Sequence, residues 1–468
     1  MQTASRVLLG GTAFVAAFGL AACNNWLTGD KLSQNPNRPS LANADQLFVG
    51  VQVQTFATFT GRYPMQLLPM YARQFAGVAR QWTNYSTFNG SPTETEAEDG
   101  FNDVYGRGGL TDIRAIEDAT KTAGNDRFLG IAQVYEGLRI GTAADVWGDI
   151  PYSEALTAAK PKLDPQLTVY AAVQTVLDNA IANLTSNKGA GPTAVDFVYG
   201  NDAQKWVRAA HTLKARFYMH MSRGTDSTAM FQKAISEAQL GIRNPSDDWI
   251  AVYTTTSGEQ NLYYNFLNSR SGDVEADSVY IETLKSRGDQ ALLNQLFQKK
   301  TGCTDFFGST PGKSVACASQ LSMLPNTPMS IVTAAENDMI LAEAQYRTGQ
   351  AAAALLTLNA FRAKIGYTAV SPTGVGILTA ILQEKYVRLY LNPEVYIDYL
   401  RTCYPNFQIP YAKVTYVPGR LPYGFTERIA NSNIPSVSDQ KLASTAFPKN
   451  AKDPTGAVCY GQANRPGA

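Results

Sequence analysis

Residues 126–156, DRFLGIAQVYEGLRIGTAADVWGDIPYSEAL, decide the fold. Ile131, Val134, Tyr135, Leu138, Thr142 and Val146 recur at three- and four-residue steps, which sets them on one face of a single amphipathic helix. Between them lie Gly130, Ala132, Gly137, Gly141, Ala143 and Ala144. Each glycine costs a helix up to about 1 kcal/mol relative to alanine. That cost is offset where neighbouring helices approach the backbone closely on several sides. Pro151 ends the run, because it lacks an N–H and drives Ile150 away from helical backbone angles. Asp145, Trp147 and Asp149 form a polar-aromatic turn between stripe and stop. The spacing predicts the central helix of a mostly α-helical domain.

Outward from this stretch, helical spacing recurs along the chain. It covers 44–61 and 67–79, broken near Pro64 and Pro69, and 99–123, interrupted by Gly106-Arg107-Gly108-Gly109. That glycine run is no phosphate loop, since no strand precedes it and no Gly-Lys-Ser/Thr follows. Thr168 is placed to cap a helix bearing Val169, Val173 and Leu177. Trp206, Ala210, Leu213, Phe217 and Met221 form another stripe, and 227–241 a third. Residues 337–366 read as two helices turning at Gly349, with Leu341, Ala342, Gly349 and Ala354 at tetratricopeptide spacing. Residues 376–391 add a further helix. Residues 81–90, QWTNYSTFNG, read as an aromatic, hydroxyl-rich loop. The segments 247–277 and 301–333 lack periodicity and are rich in Ser, Thr, Asn, Gly and Tyr. They are expected to form an irregular layer over a scaffold of helix pairs, with few short strands.

The chain has 468 residues, 44% of them apolar, enough for a large core. Lys and Arg number 40 against 39 Asp and Glu, and a surface this balanced excludes nucleic acid as a partner. At the N-terminus Arg6 precedes an apolar run, Val7–Leu20, too short to span a bilayer, and Leu20-Ala21-Ala22-Cys23 then matches a bacterial lipobox. Residues 1–22 thus read as a lipoprotein signal peptide and 23–43 as a tether carrying lipid on Cys23, with one domain from 44 to 468. Acyl chains bury at about 0.8 kcal/mol per methylene, so several on one cysteine anchor without a spanning helix. Five cysteines less the lipidated one leave four in an exported chain. Cys303 and Cys317 flank a short Gly/Ser/Thr-rich loop, and Cys403 with Cys459 would tie the C-terminal tail to the last helix. Metal binding fails on spacing, with no C-x-x-C and two histidines.

No catalytic signature is present, and no cofactor motif. His211 and His220 are nine residues apart on one helix, and His220 sits on the apolar stripe, where a packed, hydrogen-bonded role fits best. Asp145, Asp149 and Glu154 read as capping and turn residues rather than a glycosidase pair or a calcium site. Asp273, Glu275 and Asp277 imitate the start of a calcium loop, but Ser278 and Leu284 stand where glycine and glutamate are required. Arg80, Trp82, Asn84 and Tyr85 are the strongest binding candidates. They join an aromatic platform for a sugar's C–H face to guanidinium and amide groups for its hydroxyls. Tyr263 and Tyr264 form a second, weaker patch.

The run Ala144–Leu156, ADVWGDIPYSEAL, closely resembles the signature of the SusD/RagB family, in its SusD-like branch. KWVRAAHTLKARFYMHMSR (205–223), the helix pair at 337–366 and PGRLPYGFTERIAN (418–431) resemble further family segments in the family's order. The resemblance implies a non-enzymatic outer-membrane lipoprotein facing the cell exterior. Such a protein captures oligosaccharide or peptide and hands it to a SusC-like TonB-dependent transporter. It also implies that Cys23 becomes the lipidated first residue and that aromatic residues near 82–85 contribute to a ligand site. Many members carry an acidic run after the lipidated cysteine; here 24–30 reads NNWLTGD. The rival expectations are a helical glycoside hydrolase or lyase, and a tetratricopeptide scaffold of the envelope.

Overall fold

The stretch 126–156 folds as its spacing dictates. In the computed structural model, which describes residues 42–442 apart from 64, 90–91, 225, 320–322 and 409–416, it forms a helix from Asp126 to Trp147. Asn125 caps its start through Phe128 N–H. Its glycines sit where partners press hardest. A Cβ on Gly130 would lie 2.7 Å from Leu184, one on Gly137 would lie 2.6 Å from Leu177, and one on Gly141 would overlap the ring of Phe217. The helix therefore gives up intrinsic propensity for close approach on two sides.

In chain order the helices are α1 (Ala44–Phe59), α2 (Leu67–Tyr71), α3 (Arg80–Ser86), α4 (Glu94–Tyr105), α5 (Leu110–Thr122), α6 (Asp126–Trp147), α7 (Gln166–Ser186), α8 (Ala203–Met221) and α9 (Ser227–Leu240). They continue as α10 (Leu262–Ser269), α11 (Ser278–Ser286), α12 (Gln290–Leu296), α13 (Ala334–Arg347), α14 (Ala351–Lys364), α15 (Val375–Arg388), α16 (Glu394–Thr402), α17 (Phe425–Ala430) and α18 (Val437–Leu442). Consecutive helices pack as antiparallel pairs: α6 on α7, α8 on α9, α13 on α14. Gly349, at φ +82°, makes the tight turn between the last two, a backbone region that costs glycine nothing. The described residues from 47 onward form one compact unit.

The strands are short and pair only two by two. β1 (Phe75–Gly77) joins β3 (Val274–Ala276), β2 (Trp249–Ala251) joins β6 (Met329–Val332), and β4 (Gln298–Lys299) joins β5 (Ala318–Ser319), all antiparallel. β2, β3, β5 and β6 lie in the segments without helical spacing and β4 just outside them, whereas β1 overturns the helix expected through 67–79, which stops at Tyr71. Cys303 and Cys317 are bonded with Cα atoms 5.9 Å apart. Cys403 is disulfide-bonded; Cys459, its expected partner, lies outside the described residues, as do Cys23, the signal segment and most of the tether.

The end of the described chain acts as a strap across the end of α6. Leu421 N–H donates to Val146 O at 2.9 Å, and Tyr423 hydroxyl to Asp149 O at 2.6 Å. Farther on, Arg428 pairs with Glu94 at 2.6 Å and Asn431 Nδ2 donates to Pro161 O. The turn that follows the apolar stripe is thus a cradle for backbone arriving from far along the chain.

Two expectations need correction. Residues 80–86 are helix α3, not loop: Trp82, Tyr85 and Ser86 turn inward at helical spacing while Gln81 and Asn84 face solvent. The cap of α7 is Pro165 rather than Thr168, so that helix starts earlier.

Candidate functional site

Helix α3 is the element on which most of the expected binding residues lie, and it divides them. Arg80 opens the helix at φ +52° with its side chain 62% exposed. Its guanidinium reaches Asp273 only loosely, at 3.5 Å. Asn84 is exposed on the same outer edge. Trp82 points the other way and is 5% exposed. Its ring packs edge-on against Phe266 at 4.8 Å, Tyr85 at 5.8 Å and Tyr63 at 6.3 Å. Tyr85 is also buried; its hydroxyl donates to Glu96 at 2.6 Å. Burial, aided by Glu96, pushes the Tyr85 phenol up to about 12.

The aromatic rings on this helix are therefore covered by protein, and the polar groups are offered outward. Gly77 fixes the arrangement: a Cβ there would collide with the Trp82 carbonyl. The rim is completed by two loops. One is the turn Arg270–Asp273, closed by Asp273 N–H to Arg270 O at 3.0 Å. The other is the disulfide loop, where Gly312 N–H donates to Gly77 O at 2.8 Å. Tyr263 is fully buried in α10 against Phe75, and Tyr264 is half-buried. Of the six expected ligand contacts, Arg80 and Asn84 face solvent fully and Tyr264 in part. Trp82, Tyr85 and Tyr263 serve as the packed floor.

The carboxylates flagged by sequence are all engaged. Asp149 accepts Gln166 N–H at 2.8 Å, beginning α7, and Glu154 pairs with Lys162 at 3.4 Å. Asp273, Glu275 and Asp277 pair with Arg80, Lys300 and Arg73 in turn. Spread over separate cations, they hold no common cavity for calcium.

Asp145 belongs to a cluster no local spacing could reveal. His220 of α8 lies between Asp145 of α6, with Nδ1 to Oδ1 at 2.7 Å, and Glu394 of α16, with Nε2 to Oε1 at 2.8 Å. The first of these contacts falls outside hydrogen-bond geometry. All three residues are buried. Among the described residues this is the one group with metal-ligand composition, its ligand atoms lying within 4.8 Å of one another. The two carboxylates meet opposite ring nitrogens, and Lys385 and Arg216 stand 3.7 and 3.8 Å from Glu394, so cationic side chains already fill the surroundings of the carboxylates. Burial by itself lowers the imidazole's affinity for a proton, but Asp145 and Glu394 outweigh it and push His220 up to about 9. The residue is an imidazolium held between two anions. The expected packed, hydrogen-bonded histidine is what the structure contains, with a charge the sequence did not disclose.

A family model described as "SusD-like_2: Starch-binding associating with outer membrane" matches residues 36–424. The chain belongs to the SusD-like family. Solved SusD-like structures share its fold. A SusD/RagB family protein from Bacteroides thetaiotaomicron is 21% identical, covers 87% of this chain and 98% of its own, and superposes with a TM-score of 0.70. A second SusD-like protein from the same organism is 17% identical, covers 86% and 97%, and reaches 0.72. A chitin-binding SusD homolog from Flavobacterium johnsoniae is 16% identical, covers 88% and 97%, and reaches 0.65. No curated protein matches the SusD-like chain in sequence. Among its described residues no helix is long and apolar enough to cross a membrane.

Proposed function

We propose that this SusD-like protein is a lipid-anchored, non-enzymatic subunit of glycan uptake. It captures oligosaccharide outside the cell and delivers it to a TonB-dependent transporter in the outer membrane. The observation that carries this reading is the family match across residues 36–424. The anchor is assigned to Cys23, at the end of a lipobox, and the ligand surface to the outer edge of α3 with Arg80 and Asn84. Trp82 and Tyr85 hold that edge in place from beneath. The engagement of Asp149 and Glu154 in capping and pairing supports binding without turnover.

The test has two arms. Outer membranes bearing the wild-type chain should yield acylated protein that co-purifies with a β-barrel transporter, whereas Cys23→Ser should be unacylated and released. Retention and lipid labelling of the serine variant would refute the anchor. Incubation of the mature protein with glycans should give binding without cleavage products; turnover would move the protein to the rival enzyme class.

A further inference from the structure

The class of glycan can be read from what the surface around α3 offers, an inference that rests on the site proposed above. With Trp82 and Tyr85 turned inward, no stacking face of either ring is left for a neutral sugar. The polar and cationic groups presented are Arg80, Gln81 and Asn84 on α3, Arg270 at the end of α10, and Lys313 in the disulfide loop, all exposed; that loop also exposes Phe307 and Val315. Backbone contacts bring their segments together. Val78 N–H donates to Asp273 O at 2.9 Å, Asp273 N–H to Arg270 O at 3.0 Å, and Gly312 N–H to Gly77 O at 2.8 Å.

The charge on this rim is unbalanced. Asp273 and Glu275 have side chains 5% and 10% exposed, while exposed Glu96 accepts the Tyr85 hydroxyl and Asp305 of the disulfide loop pairs with Lys285 at 2.7 Å. Glu275 is committed to Lys300 at 2.7 Å, and Asp273 holds Arg80 at 3.5 Å. Arg270 and Lys313 form no ion pair among the described residues. Arg80 adds a further sign. Its φ of +52° is a conformation that disfavours every residue with a Cβ and that glycine adopts freely. An arginine mostly in solvent adds little packing to offset that strain, so its guanidinium is what the position displays.

We infer that this surface recognises an anionic oligosaccharide, bearing carboxylate or sulfate groups. Arg80, Arg270 and Lys313 meet the anionic groups, and Asn84 and Gln81 bind the neighbouring hydroxyls. A guanidinium matches either anion through paired N–H donors, and such charge-assisted bonds are the stronger kind.

Titration of the full mature protein with four hexasaccharides tests this: oligogalacturonate, a sulfated galactan fragment, maltohexaose and chitohexaose. At about 50 mM NaCl at least one anionic probe should bind about tenfold or more tighter than both neutral ones, and its affinity should drop several-fold at about 300 mM. Preference for the first or second probe identifies carboxylate or sulfate as the recognised group. Arg80→Gly, which suits the local backbone, Arg270→Ala and Lys313→Ala should each weaken that binding about fivefold or more without lowering the melting temperature. Tighter, salt-insensitive binding of a neutral probe that Asn84→Ala abolishes would overturn the anionic assignment and leave the site standing. Anionic binding untouched by all three substitutions would overturn both.

Discussion

The indole N–H of Trp147 donates to the carbonyl of Pro422 at 3.0 Å, joining residues 275 apart in sequence. Trp147 is buried against Phe101 at 5.4 Å, and the same Phe101 ring meets Tyr423 at 5.5 Å. The most recognisable part of the sequence is thus a clasp for the C-terminal strap, on the link from sequence to packing rather than to ligand. Trp147→Phe keeps most of the apolar contact and orphans the Pro422 carbonyl. It should cost about 1–3 kcal/mol in chemical denaturation and speed proteolysis within 417–442. An unchanged midpoint and cleavage rate would show that the clasp is dispensable.

His220 predicts a dependence of stability on pH. Its value of about 9 exceeds the ordinary 6.5 of an imidazole, so between those limits the folded chain holds a proton that the unfolded chain has released. The stabilisation is complete below pH 6.5 and is lost as pH rises through about 9, roughly 3 kcal/mol in all. The difference in unfolding free energy between wild type and His220→Gln should therefore be largest near pH 6 and shrink toward pH 9.5. Nitrogen-15 spectra of the two histidines, assigned with His211→Asn, should show both His220 nitrogens protonated at pH 7.5. A neutral tautomer there would contradict the ion-pair assignment.

Trp82 makes a sharp case because its position separates two roles. Buried against Phe266, Tyr85 and Tyr63, it should cost about 3–5 kcal/mol of stability when replaced by alanine. A platform residue would instead leave the melting temperature nearly constant. Trp82→Phe should recover most of the loss if packing is the whole role. A Trp82→Ala protein that melts normally but binds glycan poorly would restore the stacking role.

Two glycines should respond with opposite signs. Gly50, in α1, is exposed, and a Cβ added there would meet nothing within 4 Å, so Gly50→Ala should stabilise by about 0.5–1 kcal/mol. Gly141→Ala gains the same propensity but drives a methyl into Phe217, and should destabilise by about 1–3 kcal/mol. Thermal melts of the pair decide the matter; a gain at Gly141 would mean that α6 and α8 separate at little cost.

Much of the helical scaffold was legible because its signals are local. The stripe of α6, its stop at Pro151 and the turn at Gly349 each lie within a few turns of helix. The small residues of α6 also reported correctly that other helices press on it. Helix α3 is hidden in the sequence because Thr83, Asn84 and Ser86 mask an inward Trp82–Tyr85 pair three residues apart, a spacing common to helix and turn. The difference matters at the site, since a loop offers its aromatic rings outward and this helix tucks them in. The charge of His220 was illegible for another reason. Glu394 lies 174 residues away, and no window on the sequence contains both groups.

The strap has a consequence for biogenesis. When Trp147 leaves the ribosome, its carbonyl partner at Pro422 is 275 residues from being made. At about 5–20 residues per second that is a delay on the order of tens of seconds. Throughout it the end of α6 lacks the backbone that will cover it, and the ion pair between Glu94 and Arg428 cannot form. Native closure of this end of α6 is thereby deferred to the last stage of synthesis.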